Sequence, residues 1–167
     1  MSKIPLNPTS DALYRIKRGL SGYISYLAAC EMNEAFSEYV LYEPTLRILS
    51  AQGFSVKCEV ICPGFVKNGP GDYKKLDFVA AKHETRFAME MKWARSNSIN
   101  VSSDVDKLKR FCANNKNASG FLCIFGRKST VERLESKKLG LQEQGKAVYA
   151  EFGITRYGCR IFRIAVV

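Results

Sequence analysis

Apolar residues recur along this chain with two periods, and the changes of period divide it into helices and strands. Across residues 7–30, Leu13, Ile16, Leu20 and Ile24 fall three or four positions apart, the spacing of one helical face. Thr9 or Ser10 is placed to cap this helix, and Asp11 falls in its first turn. A second helical run covers residues 33–53, with Pro44 starting a new turn or kinking it and Gly53 ending it. The period then drops to two. In FSVKCEVIC (54–62), Phe54, Val56, Cys58 and Val60 share a face, which predicts a strand. PGFVKNGPGDY (63–73) is a loop by its Gly and Pro content.

KLDFVAA (75–81) and RFAMEMKW (86–93) predict two more strands, followed by a polar connection. Residues 103–120 predict a helix capped by Ser102 or Ser103, with Val105, Leu108 and Phe111 or Cys112 facing inward. FLCIFGR (121–127) is a short buried strand. Residues 129–145 predict a charged helix broken near Gly140, and two strands around a TRYG turn (155–158) close the chain. This order predicts an α/β fold, a mixed central sheet flanked by helices. Without repeats or a long linker, 1–167 reads as one domain, with 1–31 as an N-terminal helical extension.

Composition adds two constraints. Lys and Arg total 26 against 16 Asp and Glu, a formal net charge of +10, which favours a polyanionic partner such as nucleic acid. No segment approaches the ~20 apolar residues of a membrane span, and the start carries no apolar signal core. The expectation is an intracellular, cytoplasmic protein, nucleoid-associated if it binds DNA. The six cysteines form no Cys-x-x-Cys and His83 is the sole histidine, so core thiols are expected rather than zinc.

The chemistry sits in the second and third strands. In RFAMEMKW, Phe87, Met89, Met91 and Trp93 share one face, and Arg86, Ala88, Glu90 and Lys92 share the other. If KHET (82–85) is a four-residue hairpin loop, Ala81 pairs with Arg86 and Asp77 lies opposite Glu90. Directly opposed Cβ atoms are about 5 Å apart. Two carboxylates that close repel unless a proton or a cation lies between them. Lys92 places a positive donor on the same face.

An Asp followed thirteen residues later by Glu-x-Lys, on adjacent strands after an acidic helix, resembles the PD-(D/E)XK nuclease superfamily. The resemblance is strongest to small restriction-endonuclease-like and Holliday-junction-resolvase-like members. It runs from about Glu38 to Phe125, through YEPTLRILSAQGFSVKCEV, KKLDFVA, FAMEMKW, DVDKLKRF and GFLCIFGR. It departs from the family pattern at Leu76, where a proline usually precedes the first carboxylate.

The resemblance implies a restriction-endonuclease-like three-layer sandwich and a metal-dependent endonuclease that hydrolyses phosphodiester bonds. DNA is the expected substrate; a ribonuclease of the same fold and a non-catalytic nucleic-acid-binding module are the alternatives. Asp77, Glu90 and the Met91 carbonyl would hold Mg²⁺, with Mn²⁺ able to substitute, and Lys92 would act on the attacking water. The family's helical acid falls on Glu43, with Glu38 and then Glu34 behind it. Arg95 or Ser96 would contact phosphate where relatives often carry Gln, and Lys107, Lys109 and Arg110 would line a nucleic-acid groove. The resemblance also implies a homodimer, since two strands need two sites, but no seam for one is legible.

Overall fold

The computed structural model describes residues 7–32, 36–65, 69, 71, 73–95, 99–135, 140–152 and 155–165. It is an α/β fold with a mixed, curled central sheet. Helix α1 (Pro8–Ala29) leads through a 3₁₀ turn (Tyr39–Leu41) into α2 (Tyr42–Ala51). Strands β1 (Ser55–Ile61), β2 (Lys75–Lys82) and β3 (Thr85–Ala94) follow. Helix α3 (Ser102–Asn114), β4 (Ser119–Arg127), α4 (Lys128–Val131), β5 (Leu141–Glu143), β6 (Val148–Phe152) and β7 (Thr155–Ile164) complete the chain.

The sheet runs β1-β2-β3-β4-β7, with β5 and β6 following one another along the far edge of β7. Only β3 and β4 pair in parallel, and α3 is the crossover that parallel pairing requires. β4 lies at the centre, and its run FLCIFG is buried on both faces.

The sheet separates two cores. One packs Leu13, Ile16, Leu20 and Ile24 of α1 and Leu49 of α2 against Phe87, Met89 and Met91. The other packs Leu108 and Phe111 of α3 against Ala88, Leu122 and Phe162. The expected two faces of β3 are those observed. At the sheet's centre, α3 comes so close to β4 that a Cβ on Gly120 would sit 3.1 Å from that of Leu108.

The helix read as an extension is built into the fold. Beyond its apolar stripe, the buried Ser21 and Ser25 donate to the carbonyls of Val148 and Ala150 at 2.9 and 3.0 Å. Lys17 donates to Gln144 O and Lys146 O at 2.6 and 2.7 Å. Helix α1 therefore lies against β6 and donates side-chain hydrogen bonds to its backbone.

Several sequence expectations are corrected. Asn7, rather than Thr9 or Ser10, caps α1, accepting from the Thr9 N–H with Pro8 beginning the helix. Asn100 rather than a serine receives the first amide of α3, that of Ser102. The second helix begins only at Tyr42, after the 3₁₀ turn, and part of its expected start lies outside the described residues. The charged helix over 129–145 does not form: α4 is one turn, and Leu141–Glu143 is a strand. The cause is remote in sequence. Buried Arg160 on β7 takes the carbonyls of Val131 and Leu134 and grips both carboxylate oxygens of Glu143 at 2.8 Å. Thr155–Gly158 are part of β7, not a turn, and Gly158 leaves room for the Tyr149 ring that lies across it. No helix among the described residues is long and apolar enough to cross a membrane.

Ile16 is fully buried in the first core. Ile16→Ala is therefore expected to lower unfolding free energy by about 2–5 kcal/mol in urea titrations. A loss under ~1 kcal/mol would mean that α1 is an appendage.

Candidate functional site

The β2–β3 hairpin sets the geometry. Its turn has two residues, His83 and Glu84, because Lys82 and Thr85 also pair. The register is otherwise the expected one, with Ala81 opposite Arg86 and Phe78 opposite Met89. The next rung, Asp77 opposite Glu90, is made by side chains instead of backbone. The Met91 N–H donates to Asp77 Oδ2 at 2.7 Å, and the Asp77 N–H donates to Glu90 Oε1 at 3.3 Å.

A local reversal accompanies that substitution. Phe78 and Ala80 of β2 face the α1 core, yet Leu76 faces the α3 core. Val56 and Cys58 of β1 pack on the first core and Val60 on the second. Both strands change face across one rung, where the register leaves Glu59 opposite Asp77. Glu59 adopts φ 54°, a left-handed conformation that a non-glycine residue holds only at a cost. This reversal is why Asp77 is within reach of α2 on one side and of β3 and α3 on the other.

Around the pair stand groups from four elements. The Tyr42 side chain of α2 stands beside Asp77. Lys107 of α3 donates to Glu90 Oε2, donates to the Lys75 carbonyl at 3.0 Å, and lies 3.5 Å from Asp104. Asp104 also pairs with Lys92 Nζ at 3.4 Å. Positive and negative groups thus alternate from Glu90 through Lys107 and Asp104 to Lys92. Glu38, just before the 3₁₀ turn, accepts from the Trp93 N–H at 3.0 Å.

Electrostatics follow burial. Glu90 is 1 % exposed. Loss of solvent, and then the charge of Asp77, push its carboxyl from the ordinary 4.5 up to about 8. Burial likewise raises Asp77, against the pull of the Tyr42 hydroxyl, the Met91 N–H and Lys107. For Lys107, burial pulls downward, but its bond to Glu90 and the charges of Glu90, Asp104 and Asp77 leave it raised.

The structure brings together Asp77, Glu90, Met91 and Lys92, as their spacing suggested. It does not bring Glu43 to them. The Glu43 carboxylate is 61 % exposed and pairs with Arg47 one turn on. Glu38 is the acid that reaches β3. Lys107 belongs to the carboxylate cluster rather than to an outer groove, with its side chain only 12 % exposed. Arg110 is engaged by Asp106, the Gly64 carbonyl and the Phe65 ring. Lys109 and Arg95 are exposed, while Glu34 and Ser96 lie outside the described residues. Tyr42 and the Asp104 link went unforeseen. Tyr42 carries no spacing signal, whereas Asp104 does lie one turn before the Leu108 stripe position.

Among the described residues, no three His, Cys, Asp or Glu side chains are grouped to hold a metal ion. The donors present suit a different arrangement. A buried and a half-buried carboxylate, each raised by loss of solvent and beside the other, form a site that favours a hard cation. Mg²⁺ is often held by one or two carboxylates, with waters and a substrate phosphate supplying the remaining oxygens. No family model, no curated protein and no solved structure matches the chain.

The raised pKa of Glu90 carries a stability consequence. Unfolded Glu90 releases its proton near 4.5, whereas folded Glu90 keeps it to about 8, so over that window the folded state binds more protons. Metal-free protein should therefore lose stability as pH rises from about 4.5 to 8, and Glu90→Gln should flatten that slope. Urea midpoints measured across the range in EDTA decide it. An equal slope in both proteins removes Glu90 as the cause.

Proposed function

We propose that this protein is a divalent-metal-dependent endonuclease that hydrolyses phosphodiester bonds in DNA, on a restriction-endonuclease-like arrangement of sheet and helices. The observation that supports it most is the link between buried Glu90 and half-buried Asp77 across the open end of the β2–β3 hairpin, with Lys92 tied to the same cluster through Asp104. Asp77 and Glu90 would hold Mg²⁺ or Mn²⁺. The Met91 carbonyl would join them, since its N–H already faces Asp77 and the two groups of one strand residue point to the same side. A bound ion supplies Lewis-acid polarisation of the phosphate.

The remaining roles belong to the chain. Lys92, 32 % exposed and tethered by Asp104, would orient the attacking water and steady charge on the scissile phosphate. Tyr42 stands beside Asp77, and Glu38, just before the 3₁₀ turn, offers the nearby acid in place of Glu43. Exposed Lys109 and Arg95 are free to add phosphate contacts, which carry affinity rather than sequence preference.

Lys107 favours a second reading. Its ammonium already neutralises Glu90, so the protein could be a nucleic-acid-binding module in which a lysine stands where a cation would bind.

The deciding experiment compares wild type with Asp77→Asn and Lys92→Ala on linear, nicked, branched and single-stranded DNA and on RNA, with Mg²⁺, Mn²⁺ or EDTA. Metal-dependent DNA cleavage, reduced about 10²-fold or more in both variants, is expected. Cleavage that survives both substitutions would reject this site. Cleavage of RNA alone would change the substrate, and binding without cleavage would select the second reading.

A further inference from the structure

A second feature opens at the same end of the sheet, where the parallel strands β3 and β4 finish. There a groove of about 560 Å³ is lined by Phe36, Trp93, Arg95, Arg127, Ser129 and Tyr157, among others. That volume is within the roughly 300–1,000 Å³ of sites that hold a small-molecule-sized group.

Its lining combines two chemistries. Arg95 and Arg127 are exposed, and among the described residues no Asp or Glu lines the groove and neither guanidinium has an ion-pair or hydrogen-bond partner. Most other basic side chains near the carboxylate cluster are already committed, as Lys107 and Arg110 are. Between the arginines stands an aromatic group. Phe36 lies 5.3 Å from Trp93 and 5.4 Å from Tyr157, ring centre to ring centre, and Trp93 lies 6.3 Å from Tyr157 at a shallow 31°.

The groove is joined to the carboxylate cluster through the chain itself. Trp93 follows Lys92, and its N–H is held by Glu38, two residues after Phe36. Phe36 and Trp93 are half-exposed above the buried Tyr157, and cations without counter-charges beside such partly exposed rings are what a single strand of nucleic acid requires. Phosphates pair with guanidinium forks, and unpaired bases stack on rings. A base inside a duplex cannot offer its face to such a surface.

We propose that this groove binds an unpaired stretch of DNA flanking the phosphate to be cleaved, with Arg95 and Arg127 on its phosphates and a base against Trp93. The substrate class is then DNA with a single-stranded or splayed segment rather than intact duplex. The assignment rests on the nuclease reading for its cleavage role, but its binding can be measured without catalysis.

Trp93 is the sole tryptophan, so its emission reports on the groove directly. Wild-type protein in EDTA is titrated with a short oligothymidylate and, separately, with a blunt duplex of equal length. Quenching by the single strand is expected, with affinity at least tenfold above the duplex. Arg127→Ala should weaken single-strand binding about tenfold, and Arg95→Ala with Arg127→Ala more. Arg15→Ala, which removes the same charge from α1, should change it less than twofold. Absence of quenching at saturation, or an equal loss with Arg15→Ala, would overturn the proposal. Metal-dependent DNA cleavage without quenching would overturn it and leave the nuclease standing. Arginine-dependent quenching in a protein that cleaves nothing would support the groove and remove the nuclease.

Discussion

The site depends on one exchange of hydrogen bonds. At the end of the β2–β3 ladder, two carboxylates take over what backbone carbonyls would otherwise do: Asp77 receives the Met91 amide, and Glu90 receives the Asp77 amide. A buried amide must find an acceptor. If either side chain were shortened, that amide would lose its partner, so the rung fixes both acids against the sheet. The left-handed Glu59 opposite Asp77 belongs to the same constraint, because both outer strands change face there. Strain of this kind persists only where surrounding packing fixes it. Here the two cores, one on each side of the sheet, do so.

Fixing two acids together creates a demand for positive charge. Burial alone would neutralise them by protonation, and Glu90 is pushed in that direction. Lys107 answers part of the demand from α3, and Asp104 in turn holds Lys107 and Lys92. The alternation matters because each ammonium has a carboxylate to return to. An incoming cation could displace Lys107 from Glu90 without stranding it, since Asp104 and the Lys75 carbonyl remain within reach. Truncating one member of such a network would leave a buried charge uncompensated, which costs more than the pair itself contributes.

What the sequence made legible was local or periodic. The alternation in RFAMEMKW assigned the faces of β3, and the hairpin carried the Asp77–Glu90 opposition despite a turn two residues shorter than expected. The register survived because shortening the loop by one residue at each end adds one pair, Lys82–Thr85, and leaves every other pair unchanged. What was illegible was long-range. Arg160 halting α4 and drawing Glu143 into a strand involves partners seventeen or more residues apart, and no window of sequence contains both. Glu43 looked the better helical acid because it heads α2. The 3₁₀ turn before α2 instead lets Glu38 reach the Trp93 amide, and a solvent-facing arginine one turn along takes Glu43. Helix α1 looked detachable because its stripe is ordinary, whereas its bonds to β6 come from serines and a lysine that would normally count as surface.

The distribution of positive charge gives the overall excess of +10 a direction. Lys107 and Arg110 on α3 and Arg160 on β7 are taken up by carboxylates and carbonyls within the fold. Arg95 and Arg127 are not consumed, and they stand at the carboxyl ends of the two parallel strands. Ligands of open α/β sheets commonly bind outside those strand ends. Two uncompensated cations thus stand near the rung of the sheet where acids replace backbone. The β3–α3–β4 crossover is what brings the ends of both strands, with Arg95 and Arg127, to the side of the sheet that carries the paired acids.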